Sequence, residues 1–134
     1  MSAAVTVLVP ARGDAAFLAV ALASLRLQTL AEWQAVVVAV GEAARAAAQT
    51  AIGGDSRMRI VDVGEATELE ALARTARDVR SEFACVLDGD DALEPDALAQ
   101  LHAMLAAHPA AGMAYGRHVL VDAGGRMLGP GPLC

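Results

Sequence analysis

Two hydrophobic periods take turns along this chain. Val5 to Val9 is a mostly β-branched run stopped by Pro10, which predicts a first, central strand. Beyond the Ala11 to Asp14 loop, Leu18, Ala21, Leu22 and Leu25 recur at helical spacing. They predict a helix from about Ala15 to Leu27, with Asp14 as its cap. Trp33 leads into Ala35 to Val40, which is apolar at every position, as a strand buried on both faces must be. An alanine-rich helix from Glu42 to Ile52 ends at Gly53 and Gly54. Met58 to Val63 alternates and predicts a shorter edge strand. Thr67 to Val79 is helical, with Glu70 and Arg74 spaced for an ion pair. Phe83 to Leu87 predicts a fourth, buried strand, and Pro95 opens a helix to about Ala107. Two short strands, Met113 to Tyr115 and His118 to Asp122, precede a hairpin-type turn at Ala123 to Arg126. The Gly- and Pro-rich tail from Gly129 reads as the start of a loop.

Strand and helix alternate, so the expected architecture is an α/β fold. It is a three-layer α/β/α arrangement on a mostly parallel, Rossmann-like sheet with right-handed crossovers. At 134 residues the chain is expected to be a single domain, 1–134, with enough length to bury a core. Apolar residues make up 56% and charged residues 19%, which argues against disorder. Aromatics are confined to Trp33, Tyr115, Phe17 and Phe83, so aliphatic side chains must fill the interior.

A net charge of -6 argues against nucleic acid or an anionic membrane as the partner. A phosphorylated small molecule stays compatible if a metal ion carries the positive charge. No run has the roughly 18 apolar residues of a membrane helix, and no leader pattern starts at Met1. Cys85, in an apolar run, and Cys134 read as reduced thiols. The expected location is cytoplasmic, or the cytosolic face of a membrane.

Chemistry concentrates at Phe83 to Asp91, where a short apolar run ends in Asp88, Asp90 and Asp91. Ligands of open α/β sheets bind at the carboxyl ends of the strands, which selects this loop and Pro10 to Asp14. Gly89 between Asp88 and Asp90 sends both carboxylates to one side of an extended backbone and permits close approach of a ligand. Carboxylate oxygens suit Mg²⁺ or Mn²⁺, which in turn bridge to diphosphate. The plainer reading is that Asp90 and Asp91 cap the helix opened by Pro95. No histidine pair has metal-ligand spacing, and no Ser-His or Cys-His arrangement stands out. A phosphate-accepting receiver domain would need an acidic pair after the first strand. A phosphatase of the Asp-x-Asp class would carry that motif on the first strand. Neither pattern is present.

The ordered set of Val5 to Pro10, Leu18/Leu22/Ser24/Gln28/Thr29, Val36 to Val38, Leu87-Asp-Gly-Asp-Asp91 with Pro95, and His108 to Gly116 resembles family-2 glycosyltransferases of GT-A fold. It resembles their nucleotide-binding half and spans nearly the whole chain. The resemblance implies that Asp88 and Asp90 hold a divalent metal, Mn²⁺ or Mg²⁺, and through it a nucleotide-diphosphate sugar. Asp88 and Gly89 would touch that donor. Asp91 would support the loop or cap the helix. Pro10, Ala11 and Arg12 would line the nucleoside pocket, although Arg12 reads equally well as a surface residue.

The departures are as informative. Where the family carries Asp-Asp-Gly-Ser after the second strand, this chain has Ala39-Val-Gly-Glu42, with Glu42 as a speculative substitute. Ala73-Arg-Thr75 only echoes the family's Ala-Arg-Asn segment, and Arg74 reads as a surface residue paired with Glu70. The acceptor half and its catalytic carboxylate are not found, so the fold is expected in truncated form, joined by the rest of a larger protein or a partner. Two functions follow from this. One is donor binding for glycosyl transfer to an acceptor hydroxyl; the other is a non-catalytic domain for binding or assembly. The apolar surface of an incomplete sheet also suggests self-association.

Overall fold

The computed structural model describes residues 3–64 and 66–132; Cys134 lies outside them. Four parallel strands carry the architecture: β1 (Val5–Arg12), β2 (Trp33–Val40), β3 (Met58–Asp62) and β4 (Phe83–Val86). Their order is β3-β2-β1-β4, which puts β1 in the interior and β3 at an edge, as the hydrophobic pattern predicts. Helices α1 (Leu18–Arg26), α2 (Glu42–Ile52) and α3 (Glu68–Ala76) cover the sheet. Helix α4 (Ala97–Ala107) follows β4, and β5 (Val119–Val121) pairs antiparallel with β6 (Met127–Pro130). The chain divides into two compact units, Met1–Ala99 and Gln100–Cys134. The parallel sheet belongs to the first.

Alternation along β1 and β2 divides the core between the two faces. Val5, Val7, Val9, Ala35, Val37 and Ala39 pack under α1 and α2, with Leu18, Leu22 and Leu25 from α1. Leu8, Val36 and Val38 turn the other way and meet Ala71 of α3. A strand that is apolar throughout is thus stable only because helices cover both faces.

Several boundaries differ from expectation. Pro10 does not stop β1, which stays paired with β2 as far as Arg12 and Val40. The Pro10 carbonyl faces the β4 side, where it accepts from the Gly89 N–H at 3.1 Å. Its missing N–H lies on that same side, past the last β1–β4 register pair at Leu8 and Val86, so no bond of the paired strand is lost. Asp14 caps nothing. Helix α1 begins at Leu18 after Phe17, which makes no side-chain cap, and Ala15 sits at φ 49° in the turn before it. β4 is a second edge strand and is not buried on both faces: Ala84 is exposed and Val86 is 59% exposed.

In the second unit, Met113 to Tyr115 forms no strand, and Met113 and Tyr115 are exposed. β5 takes its partner instead from Met127 to Pro130, which the sequence reading assigned partly to a loop. Asp122 explains the choice, because its carboxylate accepts from the backbone N–H groups of Gly124 and Arg126, both at 2.9 Å. That turn fixes which residues pair.

At the amino ends of the strands, Asp55 binds Arg57 and Arg26, each at 3.2 Å. Arg26 also donates to the Ala51 and Ile52 carbonyls that close α2. The Arg57 hydrogen bond, chiefly, holds the Asp55 carboxyl down at about 2. A depressed carboxyl adds stability that is complete above its unfolded value of about 4 and is lost as pH falls toward 2. Urea unfolding between pH 5 and 2 should therefore show a fall in stability that Asp55→Asn reduces; an unaltered acid limb in the variant would contradict the pairing.

Candidate functional site

Parallel strands bring their carboxyl ends to one edge of the sheet, and three segments meet there. β1 delivers Pro10, Ala11 and Arg12; β4 delivers Asp88, Gly89 and Asp90; and α3, which follows β3, brings Glu68 in its first turn. With Asp14, Ala15, Ala16 and Phe17 they line a pocket of about 230 Å³. Every residue expected at the site (Pro10, Ala11, Arg12, Asp88, Gly89 and Asp90) is on that wall.

The acidic turn is held from both sides. Toward β1, the Leu87 N–H donates to the Leu8 carbonyl at 2.9 Å and Gly89 to Pro10, carrying the hydrogen bonding three residues past β4. The turn then closes as the Asp91 N–H reaches the Asp88 carbonyl at 3.0 Å. Toward α1, Ser24 Oγ accepts from the Leu93 N–H at 3.1 Å. Gln28 Nε2 donates to the Glu94 carbonyl at 2.7 Å, and its Oε1 accepts from the Leu98 N–H at 3.0 Å. Ser24 and Gln28 are each only 8% exposed, so these polar contacts are shielded from water. The Thr29 N–H donates to the Pro95 carbonyl at 2.8 Å. Pro95 therefore anchors the loop, and α4 begins two residues later at Ala97. Asp90 and Asp91 lie well before that helix and do not cap it.

Carboxylate oxygens of Asp88, Asp90 and Asp91 lie within 4.8 Å of one another, all three exposed. Asp91, which the sequence reading set aside as a loop or cap residue, is part of this cluster. Burial raises the Asp88 carboxyl above its ordinary value, and the charges of Asp90, Glu68 and Asp91 push the same way. Gly89 has a structural reason to be glycine: a Cβ there would sit 2.6 Å from the Pro10 carbonyl oxygen. The close approach is made by the protein's own β1.

Other candidates are not brought to this pocket. Glu42 binds Arg45 at 2.6 Å within α2 and is absent from the pocket wall. Arg74 makes no ion pair with Glu70, whose side chain instead folds back to the Thr67 N–H at 3.4 Å to complete a capping box. Arg74 lines a separate pocket with Arg59, Asp62 and Asp78. Cys85 is half-buried, and burial pushes its thiol up to about 11, so it is a poor nucleophile. Glu68 was not singled out by sequence reasoning. Its signal was the Thr67/Glu70 capping box, which fixes where α3 starts, combined with the strand order that turns that start toward β1.

Comparison with known proteins agrees with this fold. The signature described as glycosyl transferase family 2 matches residues 6–127. Two solved structures of S. aureus TarS share the fold. One, covering residues 1–349, superposes with a TM-score of 0.68 at 18% identity, over 81% of this chain and 33% of that one. The other gives 0.66 at 18% identity, over 90% of this chain and 21% of that one. This chain thus spans a third or less of the length of either. No curated protein matches the sequence. Among the described residues, no helix is long and apolar enough to cross a membrane.

Gly89→Ala tests the packing at the turn. Overlap with a backbone oxygen should cost on the order of 1–3 kcal/mol in denaturant unfolding. A variant as stable as the parent would show that the turn is not held against β1.

Proposed function

Because this chain belongs to glycosyl transferase family 2, we propose that its acidic pocket holds a nucleotide-diphosphate sugar through a divalent cation, for transfer of the sugar to an acceptor hydroxyl. The whole stretch 1–134 is read as one sugar-nucleotide-binding domain. The observation that carries this reading is the cluster of Asp88, Asp90 and Asp91 at the carboxyl end of β4, beside a pocket large enough for ligand groups.

The donor set fits the ion. Carboxylate oxygens are hard ligands of the kind Mn²⁺ and Mg²⁺ take. The raised Asp88 carboxyl reflects burial and repulsion that a dication relieves. Asp88 and Asp90 would hold the metal, and Asp91 stands close enough to assist. A bound cation supplies charge neutralisation for the leaving nucleoside diphosphate. Pro10, Ala11 and Gly89 offer backbone and small side chains along the wall, where a nucleotide meets little steric resistance. Arg12 supplies a cation for phosphate.

Calorimetry with nucleoside diphosphates, with and without Mn²⁺, tests the reading. Binding should require the metal and should vanish in Asp88→Ala/Asp90→Ala. Metal-independent binding, or binding that survives the double substitution, would refute it. Protons compete with the cation for the Asp88 oxygens. With that carboxyl raised, Mn²⁺ affinity should begin to fall at a higher pH than an ordinary aspartate would give. A pH series of Mn²⁺ titrations reads this directly, and a decline confined to the ordinary aspartate range would contradict it.

A further inference from the structure

We infer that Glu68 is a positioning residue that holds Arg12 at the mouth of the pocket and yields it to an incoming diphosphate. The inference rests on the reading of this pocket as a diphosphate site.

Arg12 is the one cationic side chain on the pocket wall among the described residues, against the carboxylates of Asp14, Glu68, Asp88 and Asp90. Its backbone is fixed at the last register position of β1, opposite Val40. Glu68 is fixed as well. It occupies the first turn of α3, behind the Thr67/Glu70 capping box, where the helix terminus favours a carboxylate. Between these two anchored backbones, Arg12 Nη1 donates to Glu68 Oε2 at 3.3 Å. The Arg12 side chain is 67% exposed and that of Glu68 33%, so the pair is weak and screened.

A phosphate offers Arg12 a stronger partner, because guanidinium and phosphate match through paired, charge-assisted hydrogen bonds. Glu68 therefore opposes the bound anion by competing with it for the guanidinium. The result is a donor site that is oriented before binding and that releases a diphosphate readily afterwards. Arg12 keeps its direction in the free protein without being locked.

Calorimetry of the whole chain with Mn²⁺ and inorganic pyrophosphate separates the possibilities. Glu68→Gln should tighten pyrophosphate binding about two- to fivefold, the size expected for release of an exposed pair. Arg12→Gln should weaken it, and the double variant should match Arg12→Gln alone. Thermal unfolding of each variant checks that α3 is intact. Unchanged or weaker binding in Glu68→Gln overturns the inference. So does a gain that persists in the double variant, which would mark a general charge effect without Arg12. If the wild type binds no pyrophosphate with Mn²⁺, the diphosphate reading falls and takes this one with it. If binding is present and needs Asp88 and Asp90, but Glu68→Gln brings no gain, only this inference fails.

Discussion

The site depends on a hydrogen-bonded clamp around Leu87 to Leu98. On one side the segment continues the β1 ladder through Leu8 and Pro10; on the other it is tied to Ser24, Gln28 and Thr29 at the end of α1. The ladder sets the direction of Asp88, and the α1 contacts fix where the chain goes after Asp91. Clustered carboxylates repel one another, so without such anchors the turn would open to separate them. Buried polar contacts keep the repulsion in place, where a cation can use it.

The same clamp explains why apparently ordinary residues sit where they do. Gln28 is a buried amide whose two ends both serve loop backbone. Gly89 is small because the loop runs against β1. Pro10 is tolerated inside a strand because its missing N–H falls past the last β1–β4 register pair, while its carbonyl still binds the Gly89 N–H. Each is a local oddity with one shared cause: the acidic loop lies directly over the end of the central strand. Parallel topology then adds the rest of the wall, since β1, β4 and the start of α3 must open on the same edge.

Much of the fold was legible from periodicity. The continuous apolar run at Val36 to Val38 marked a strand covered on both faces, and the alternation at Met58 to Val63 marked an edge. The acidic loop stood out because three aspartates follow an apolar run at a strand's carboxyl end, within the ordered set that resembles the family. What stayed hidden was tertiary. The partner of β5 was decided by the Asp122 turn, not by β propensity at Met113 to Tyr115. The openness of β4 follows from strand order, which no local pattern around Ala84 and Val86 reveals. Glu68 was hidden because its role depends on a neighbour 56 residues away. Arg74 drew attention by its place in the sequence, yet it turns to the other pocket.

The central claim is the proposal that Asp88 and Asp90, with Asp91 beside them, hold a divalent cation against the end of β1. Paramagnetic broadening of backbone amide resonances by substoichiometric Mn²⁺ tests it most directly. The account predicts selective loss of signal from Asp88 to Asp91, with Arg12 and Glu68 next, while Arg59 and Arg74 beside β3 stay sharp. Broadening spread evenly over surface carboxylates, or centred elsewhere, would contradict it.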